Sequence, residues 1–290
     1  MKILFCYNMG FGNVIQQIPL YVSLEEHFGR VIDCCYIMQF DGDDPKNASC
    51  TPNPICPAEN YVSLESQFKD YDYIVKPPYI YDGSGDFFRE HIDNMRELDS
   101  EIVRNGRICE FLGIPYTLHR NARTKALSVP QRYCVLHNGA QAGWDNKKYD
   151  KFEEVAWRLQ KKGIECVSVG VPSEYIFGTT NYTGLTWRET AHVIKSATGY
   201  LGTDTGTYHL AGMFETPGVA IFTMTSIGKN WDKDFHHTIK PIQRTDLPEH
   251  TCPCQKGYTW MHSRSTCKNP KCKDISAELI VNTFMEQING

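Results

Sequence analysis

The chain has 290 residues and a formal net charge of −4 at pH 7, with 41% hydrophobic and 22% charged residues. This composition is ordinary for a globular protein, and the length suffices for one large domain or two of medium size. The slightly negative charge excludes a global basic field, so nucleic acid is a possible partner but not a favoured one.

The N-terminal apolar run is too short for a signal peptide, and no segment has the apolar length needed to span a bilayer. We therefore expect no transmembrane segment and a cytoplasmic location. Twelve cysteines are many for such a protein. In a reducing compartment they indicate buried thiols or metal ligands before disulfides.

The first half of the sequence alternates between strand-like and helix-like segments. Residues 2–7 form a short apolar run typical of a strand buried on both faces, and helical spacing follows over 14–28. Two further strands are predicted at 30–38 and 72–77. Residues 41–60, between these two strands, are rich in Asp, Asn and Pro and are predicted to be a loop. A long amphipathic helix is predicted over 93–114.

The second half repeats this alternation from residue 132 onward. The predicted strands are 132–140, 165–170, 199–204 and 218–223, and the predicted helices between them are 148–163, 186–197 and 206–214. This alternation is typical of βαβ units and predicts parallel sheets. We expect an α/β protein of two doubly wound, Rossmann-like domains facing a cleft. The predicted divisions are an N-terminal domain at 1–125, a C-terminal domain at 126–273 with a cysteine-rich segment at 250–273, and a C-terminal helix at 274–290.

Ligands of such sheets bind at the carboxyl ends of strands, where turns lead into helices. The turn at residues 8–14 contains Gly12 and Asn13, and its glycines let a ligand approach the backbone, although such a turn can also merely connect strand to helix. It is not a dinucleotide fingerprint, because Ile15 stands at the third glycine position. Lys147 and Lys148 precede another helix and suit a phosphate; a solvated basic turn is the alternative.

The segment 203–209 interrupts an apolar region with polar residues. Asp204 ends a predicted strand, and Thr205, Gly206 and Thr207 form the first turn of a helix, whose free N–H groups can hold a pyrophosphate with help from the hydroxyls. Asp204 could instead be the helix N-cap, and His209 a satisfied core residue. The combination in one turn favours a pyrophosphate site.

These residues resemble the signature of glycosyltransferase family 9, the heptosyltransferase-like enzymes, in which D-T-G-x-x-H-L-A binds the donor diphosphate. Residues 1–20, 135–170 and 181–197 are similar to other parts of that family. The resemblance implies a GT-B fold with an N-terminal acceptor domain, a C-terminal donor domain and metal-independent inverting transfer, without a cofactor for catalysis. By position it implies that the donor is bound by Gly12, Lys147, Glu174 at the ribose, Asp204, Thr205, Gly206, Thr207 and His209.

The chain departs from the family at the expected general base. Asn13 stands where family heptosyltransferases carry an aspartate, and an amide cannot accept a proton at neutral pH. Either another carboxylate is the base, or Asn13 only orients the acceptor, or catalysis has been lost. We favour the first, and the candidate bases are Asp41, Asp43, Asp44 and Asp86.

Four cysteines near the C-terminus form two close pairs separated by a dozen residues. Cys252, Cys254, Cys267 and Cys272 outline a structural metal knuckle, which would hold zinc or iron. The alternative is four free or partly buried thiols, since C-x-C is tighter than the usual C-x2-C.

The leading hypothesis is an inverting glycosyltransferase that moves a sugar, for which a heptose is one candidate, from a nucleotide-diphosphate donor to an acceptor hydroxyl of a glycan or lipopolysaccharide core. A second hypothesis is transfer to protein or modified DNA, with the basic residues of 255–273 holding an anionic partner. A third, suggested by Asn13, is a non-catalytic nucleotide-sugar-binding protein.

Overall fold

The computed structural model describes residues 2–8, 10–29, 32–37, 71–77, 79–82, 99–140, 144–247 and 271–290. The chain divides into two compact units, Met1–Arg123 and Thr124–Gly290. The observed division lies two residues before the one predicted between residues 125 and 126.

The first unit contains a four-stranded sheet and two described helices. Its elements are β1 (Ile3–Asn8), α1 (Phe11–Phe28), β2 (Asp33–Ile37), β3 (Tyr73–Lys76), β4 (Tyr79–Asp82) and α2 (Glu101–Phe111). The strand order is β2-β1-β3-β4, and β1 pairs in parallel with both of its neighbours. The buried side chains of Ile3 to Tyr7 agree with a central strand that is covered on both faces.

Two features of this unit differ from the sequence prediction. Strand β4 runs antiparallel to β3, so the sheet is mixed rather than parallel, because the short connection between them has no room for a crossover helix. Helix α2 begins at Glu101 instead of residue 93: the Ser100 hydroxyl accepts a hydrogen bond from the Val103 N–H at 3.2 Å and so caps the helix. Residues 93–98 of the predicted helix lie outside the described residues.

The second unit contains a six-stranded sheet with helices between its strands. Its strands are β5 (Cys134–His137), β6 (Cys166–Ser168), β7 (Thr180–Asn181), β8 (Gly199–Thr203), β9 (Gly218–Phe222) and β10 (Ile239–Gln243). Its helices are α3 (Phe152–Lys161), α4 (Trp187–Lys195), α5 (Gly206–Met213), α6 (Ile227–Asn230) and α7 (Ala277–Asn289).

All recorded strand pairings of the second sheet are parallel, in the order β10-β9-β8-β5-β6-β7. Strands β6 and β7 therefore lie on one side of β5, and strands β9 and β10 lie on the opposite side, beyond β8. Such a change of direction leaves a crevice at the carboxyl ends of the two central strands. The residues that follow β5 and β8 meet at this point.

The C-terminal helix α7 belongs to the core of the second unit. Phe284 and Ile280 are fully buried in the same cluster as Val155 and Leu159 of α3. A Cβ on Gly199 would lie 2.9 Å from the Phe284 ring, so the glycine lets the ring pack directly on β8. The segment 274–290 is thus part of the second unit. Within the described part of the chain, no helix is both long and apolar enough to cross a membrane.

Three cysteines that the sequence placed in strands are small core residues. Cys6, Cys134 and Cys166 are each at most 2% exposed. Burial raises the pKa of the Cys134 and Cys166 thiols to about 12, so both remain protonated at neutral pH.

We expect Phe284→Ala to lower the free energy of unfolding of the second unit by about 3–5 kcal/mol, because it leaves a cavity between α7 and β8. The measurement is urea unfolding followed by circular dichroism. Leu279→Ala on the same helix is the matched control, since Leu279 is 53% exposed and its loss should change stability by less than about 1 kcal/mol. Equal effects of the two substitutions would show that α7 does not anchor this core.

Candidate functional site

The candidate site lies at the carboxyl ends of β5 and β8. His137 is the last residue of β5 and Thr203 the last of β8. The Thr203 hydroxyl donates to the Gly139 carbonyl at 3.1 Å, which joins the two loops that leave these strands. Asp204 and Thr205 follow, and α5 begins at Gly206.

Lys147 reaches across from the first loop to the second. It ends a 3₁₀ turn at Asp145–Lys147, and its ammonium donates to the Asp204 carbonyl at 3.0 Å and to the Asp204 carboxylate at 3.2 Å. The ammonium also lies 5.5 Å from the centre of the Trp144 ring. The Asp204 side chain is only 4% exposed whereas that of Lys147 is 20% exposed. The ammonium is therefore the solvent-facing partner of a pair whose carboxylate is buried.

The first turn of α5 presents backbone donors at the site. The N-cap is Thr205 rather than Asp204, and the Thr205 side chain makes no capping hydrogen bond. Within the described residues, the N–H groups of Gly206 and Thr207 have no hydrogen-bond acceptor. Unpaired amides at a helix N-terminus carry partial positive charge and suit an anion.

The two threonine hydroxyls of this turn face His137. The Thr207 hydroxyl lies 2.8 Å from His137 Nδ1 and 2.9 Å from the Tyr200 hydroxyl, and the Thr205 hydroxyl lies 3.1 Å from His137 Nδ1. Thr207 is buried, whereas Thr205 is partly exposed. The hydroxyls thus hold the turn against the end of β5, and the backbone amides are the groups left available.

Glu174 lies on the other side of His137. Its carboxylate accepts hydrogen bonds from Ala140 N–H at 3.2 Å, from Val171 N–H at 3.0 Å and from His137 Nε2 at 3.3 Å. Burial opposes ionisation of Glu174, but the His137 hydrogen bond and the two amides outweigh it and lower the pKa of the carboxyl. Glu174 is therefore ionised at neutral pH.

Two glycines make room for the His137–Glu174 pair. A Cβ on Gly139 or Gly170 would overlap the imidazole and the carboxylate, and Gly170 has φ of +121°. A side chain at either position would separate the two groups. The sequence around these glycines gave no sign of this requirement, because it depends on which loops meet.

His209 is a buried neighbour of Asp204. Its Nε2 lies 3.8 Å from the Asp204 carboxylate. Burial lowers the pKa of His209 to about 4; the Asp204 carboxylate opposes this shift and the Lys147 ammonium adds to it. His209 is therefore neutral at pH 7, which leaves Lys147 as the counter-charge of Asp204.

The other predicted site residues lie elsewhere or outside the described residues. Gly12 and Asn13 are in the first turn of α1, in the first unit, where the Asn13 N–H donates to the Gly10 carbonyl at 3.0 Å. Cys272 is buried in a 3₁₀ turn, and the described part of the chain holds no cluster of three or more residues suited to a metal ion. Outside the described residues lie Asp41, Asp43, Asp44, Asp86, Cys252, Cys254 and Cys267.

The structure adds residues that sequence reasoning missed. His137 joins Glu174 to the threonines, Trp144 lies beside Lys147, and Tyr200 supports Thr207. Only His137 had a usable signal, since it is a polar residue at the end of a predicted buried strand. The sequence does not distinguish Tyr200 from an ordinary strand residue, because its contact with Thr207 depends on where its hydroxyl lies in the fold.

Residues 113–244 match the family model of glycosyltransferase family 9 (heptosyltransferase). This segment contains Lys147, Glu174, Asp204 and His209. The predicted resemblance is confirmed over these residues, and the match supports a glycosyltransferase. None of the curated proteins matches the sequence at a significant level.

Solved structures of similar fold include three glycosyltransferases. The family 9 glycosyl transferase from Veillonella parvula is 12% identical, with 99% of this chain and 97% of that chain covered and a TM-score of 0.65. The ADP-heptose lps heptosyltransferase II of E. coli is 14% identical, with 100% and 99% covered and a TM-score of 0.59. E. coli heptosyltransferase WaaC with ADP is 13% identical, with 83% and 92% covered and a TM-score of 0.57. At these identities the likeness shows the fold, and the predicted GT-B fold is confirmed.

The neutral state of His209 predicts a pH dependence of stability. Below about pH 6.5 the unfolded chain binds a proton that folded His209 does not accept until about pH 4. The free energy of unfolding should therefore fall by about 3 kcal/mol on this account as the pH drops through that window. We expect the slope to be shallower in His209→Gln, measured as urea unfolding at several pH values.

The control for this experiment is His237→Gln. The His237 side chain is 48% exposed, so its replacement should leave the wild-type slope unchanged. Parallel pH profiles for wild type and His209→Gln would contradict the assignment of a buried neutral His209.

Proposed function

We propose that this protein, whose residues 113–244 match family 9, is a glycosyltransferase that transfers a sugar from a nucleotide-diphosphate donor to an acceptor hydroxyl with inversion at the anomeric carbon. One observation carries the proposal: the unpaired amides of Gly206 and Thr207 lie at the switch point of the sheet, in the same crevice as the Lys147 ammonium. The second unit would be the donor-binding domain and the first the acceptor-binding domain.

The charges of the crevice suit a diphosphate. Helix α5 points its positive end at the crevice. Lys147 adds a full positive charge where it contacts Asp204, two residues before the helix begins. Together they would stabilise the negative charge that develops on the leaving diphosphate when the bond between the anomeric carbon and the diphosphate oxygen breaks. This arrangement supplies positive charge without a metal ion, in keeping with metal-independent transfer.

Asp204 would act on the donor through Lys147. A carboxylate repels a diphosphate, and the Asp204 side chain is buried against the ammonium and beside His209. We therefore assign it the positioning of the lysine instead of direct contact with phosphate. The amides of the α5 first turn and the Lys147 ammonium would make the direct contacts, and Thr205, at the entry to the helix, lies beside them.

Glu174 has capacity for one further hydrogen bond. A carboxylate offers about four acceptor positions, and Ala140, Val171 and His137 occupy three of them. A ribose hydroxyl could donate to the remaining one. This geometry supports the ribose contact that the family resemblance implies for Glu174.

The donor that fits the comparisons best is an ADP-sugar. Of the similar structures, one is described with ADP and another as an ADP-heptose enzyme. We propose ADP-heptose as the first donor to test, with a hydroxyl of a glycan or lipopolysaccharide core as acceptor. The cytoplasmic location, the zinc or iron site and transfer to protein or modified DNA remain predictions from the sequence.

The general base is proposed to be an aspartate of the first unit. Asn13 follows β1, at the position where the family resemblance implies an aspartate base, but its amide cannot take the acceptor proton. The proposed candidates are Asp41, Asp43, Asp44 and Asp86, and Asn13 would orient the acceptor. A non-catalytic binding protein is the alternative that Asn13 favours.

We expect Lys147→Ala to weaken the binding of ADP by about 1–3 kcal/mol, measured by calorimetry in excess EDTA, because one charge-assisted contact is lost. Lys148→Ala is the control: Lys148 is a half-exposed residue paired with Asp145 at 3.1 Å, and its loss should change affinity by less than about 0.5 kcal/mol. Loss of wild-type binding in EDTA would contradict the metal-independent site.

Removal of Lys147 also leaves the buried Asp204 carboxylate without its ammonium, which destabilises the fold. The double variant Lys147→Ala with Asp204→Asn removes this unpaired charge. We expect it to be more stable than Lys147→Ala and still to bind ADP weakly. Wild-type affinity in the double variant would show that Lys147 does not contact the diphosphate.

Variants of Asn13 distinguish a catalytic glycosyltransferase from a non-catalytic nucleotide-sugar-binding protein. If another carboxylate is the base, Asn13→Ala should lower kcat by less than about 10-fold, and one of the four Asp→Asn variants should lower it by about 100- to 10,000-fold. The assay is transfer from radiolabelled ADP-heptose to lipopolysaccharide core. A wild-type protein inert with every donor tested, together with an active Asn13→Asp variant, would favour the non-catalytic alternative.

A further inference from the structure

A second histidine stands directly behind His209. His236 follows α6 and is 0% exposed, and its Nε2 lies 3.1 Å from Nδ1 of His209. The two imidazoles and Asp204 thus form a line from the interior of the second unit to the candidate diphosphate site.

The backbone determines which nitrogen of His236 carries the proton. The Asp232 N–H donates to His236 Nδ1 at 3.0 Å, and a backbone amide can only donate. Nδ1 is therefore the unprotonated nitrogen of a neutral ring, and the proton is on Nε2. That N–H points at His209 Nδ1, which must accept it.

The same reasoning then determines the tautomer of His209. Because its Nδ1 accepts a hydrogen bond, the proton of neutral His209 is on Nε2, the nitrogen 3.8 Å from the Asp204 carboxylate. The opposite tautomer would place two N–H groups against each other at a buried contact. A chain of three directed contacts thus begins at a backbone amide and ends at the candidate site.

We propose that His236 is a positioning residue that holds His209 as the Nε2–H tautomer, with that N–H directed at Asp204 beside the candidate diphosphate site. The consequence for donor binding rests on the proposed function. The tautomer itself does not, because it follows from contacts within the ligand-free second unit.

The packing around His236 keeps its ring in place. The Tyr208 ring stacks on it with centroids 4.5 Å apart and planes 14° from parallel. A Cβ on Gly212 would lie 2.5 Å from His236 Cδ2, so the glycine at this position of α5 lets the ring approach the helix. The Asp232 carboxylate accepts from the Asp234 and Phe235 N–H groups and shapes the turn that delivers His236.

Two polar variants of His236 separate its two hydrogen bonds. His236→Gln can place an amide N–H near the former Nε2 and keep the donor to His209, whereas His236→Asn can keep an acceptor for the Asp232 amide but does not reach His209. His236→Phe keeps the ring shape and removes both contacts. Side-chain ¹⁵N NMR of the full-length protein reports the His209 tautomer, and calorimetry with ADP reports binding.

We expect the Nε2–H tautomer of His209 in the wild type and in His236→Gln, and a mixture of tautomers in His236→Asn and His236→Phe. ADP binding should weaken by about 5- to 150-fold in the last two variants, the range for leaving one buried polar group unsatisfied, and by less than about threefold in His236→Gln. A wild-type His209 with its proton on Nδ1 would overturn the proposal, and this measurement requires no variant to fold.

The proposal would also be overturned if His236→Phe kept both the wild-type tautomer and the wild-type affinity. Failure of the wild-type protein to bind ADP, with the Nε2–H tautomer present, would contradict the proposed function and leave the positioning of His209 intact. The two hypotheses therefore fail on different measurements.

Discussion

The contact between Lys147 and Asp204 is the interaction on which the site depends. It joins the loop after β5 to the loop after β8 at the switch point of the second sheet. The carboxylate is buried and the ammonium reaches solvent, so the positive charge is held at the mouth of the crevice. A buried carboxylate without this partner would be costly, and the fold therefore constrains the lysine to the place where the proposed diphosphate would need it.

The polar side chains around this contact are hydrogen-bonded to one another, which allows them to be buried and holds them in place. His137 links Glu174 to Thr207, and Thr203 links β8 to Gly139. Unpaired polar groups would be expensive at such depth, whereas a connected network restricts the side chains to one arrangement. The amides of Gly206 and Thr207 have no acceptor within the described residues, so a ligand in the crevice could accept their hydrogen bonds.

Most of the fold could be predicted from the pattern of apolar residues. The strands around Cys134, Cys166 and Gly199 and the helix from Trp187 lie where the pattern placed them, because buried parallel strands and amphipathic helices differ clearly in period. The antiparallel β4 was missed, since direction depends on the pairing partner rather than on local propensity. The start of α2 was missed because the Ser100 cap overrides a helical pattern that continues before it.

The sequence by itself predicted the turn at 204–209 as a candidate diphosphate site and gave its resemblance to family 9, since both depend on residues that are adjacent in the chain. Only the tertiary structure decided that Asp204 faces Lys147 instead of capping α5, that Glu174 meets His137, and that His236 directs His209. These pairs are separated by 27 to 57 residues. The choice of hydrogen-bond partner is made by the strand order, which brings distant loops to one edge of the sheet, and no local pattern encodes that order.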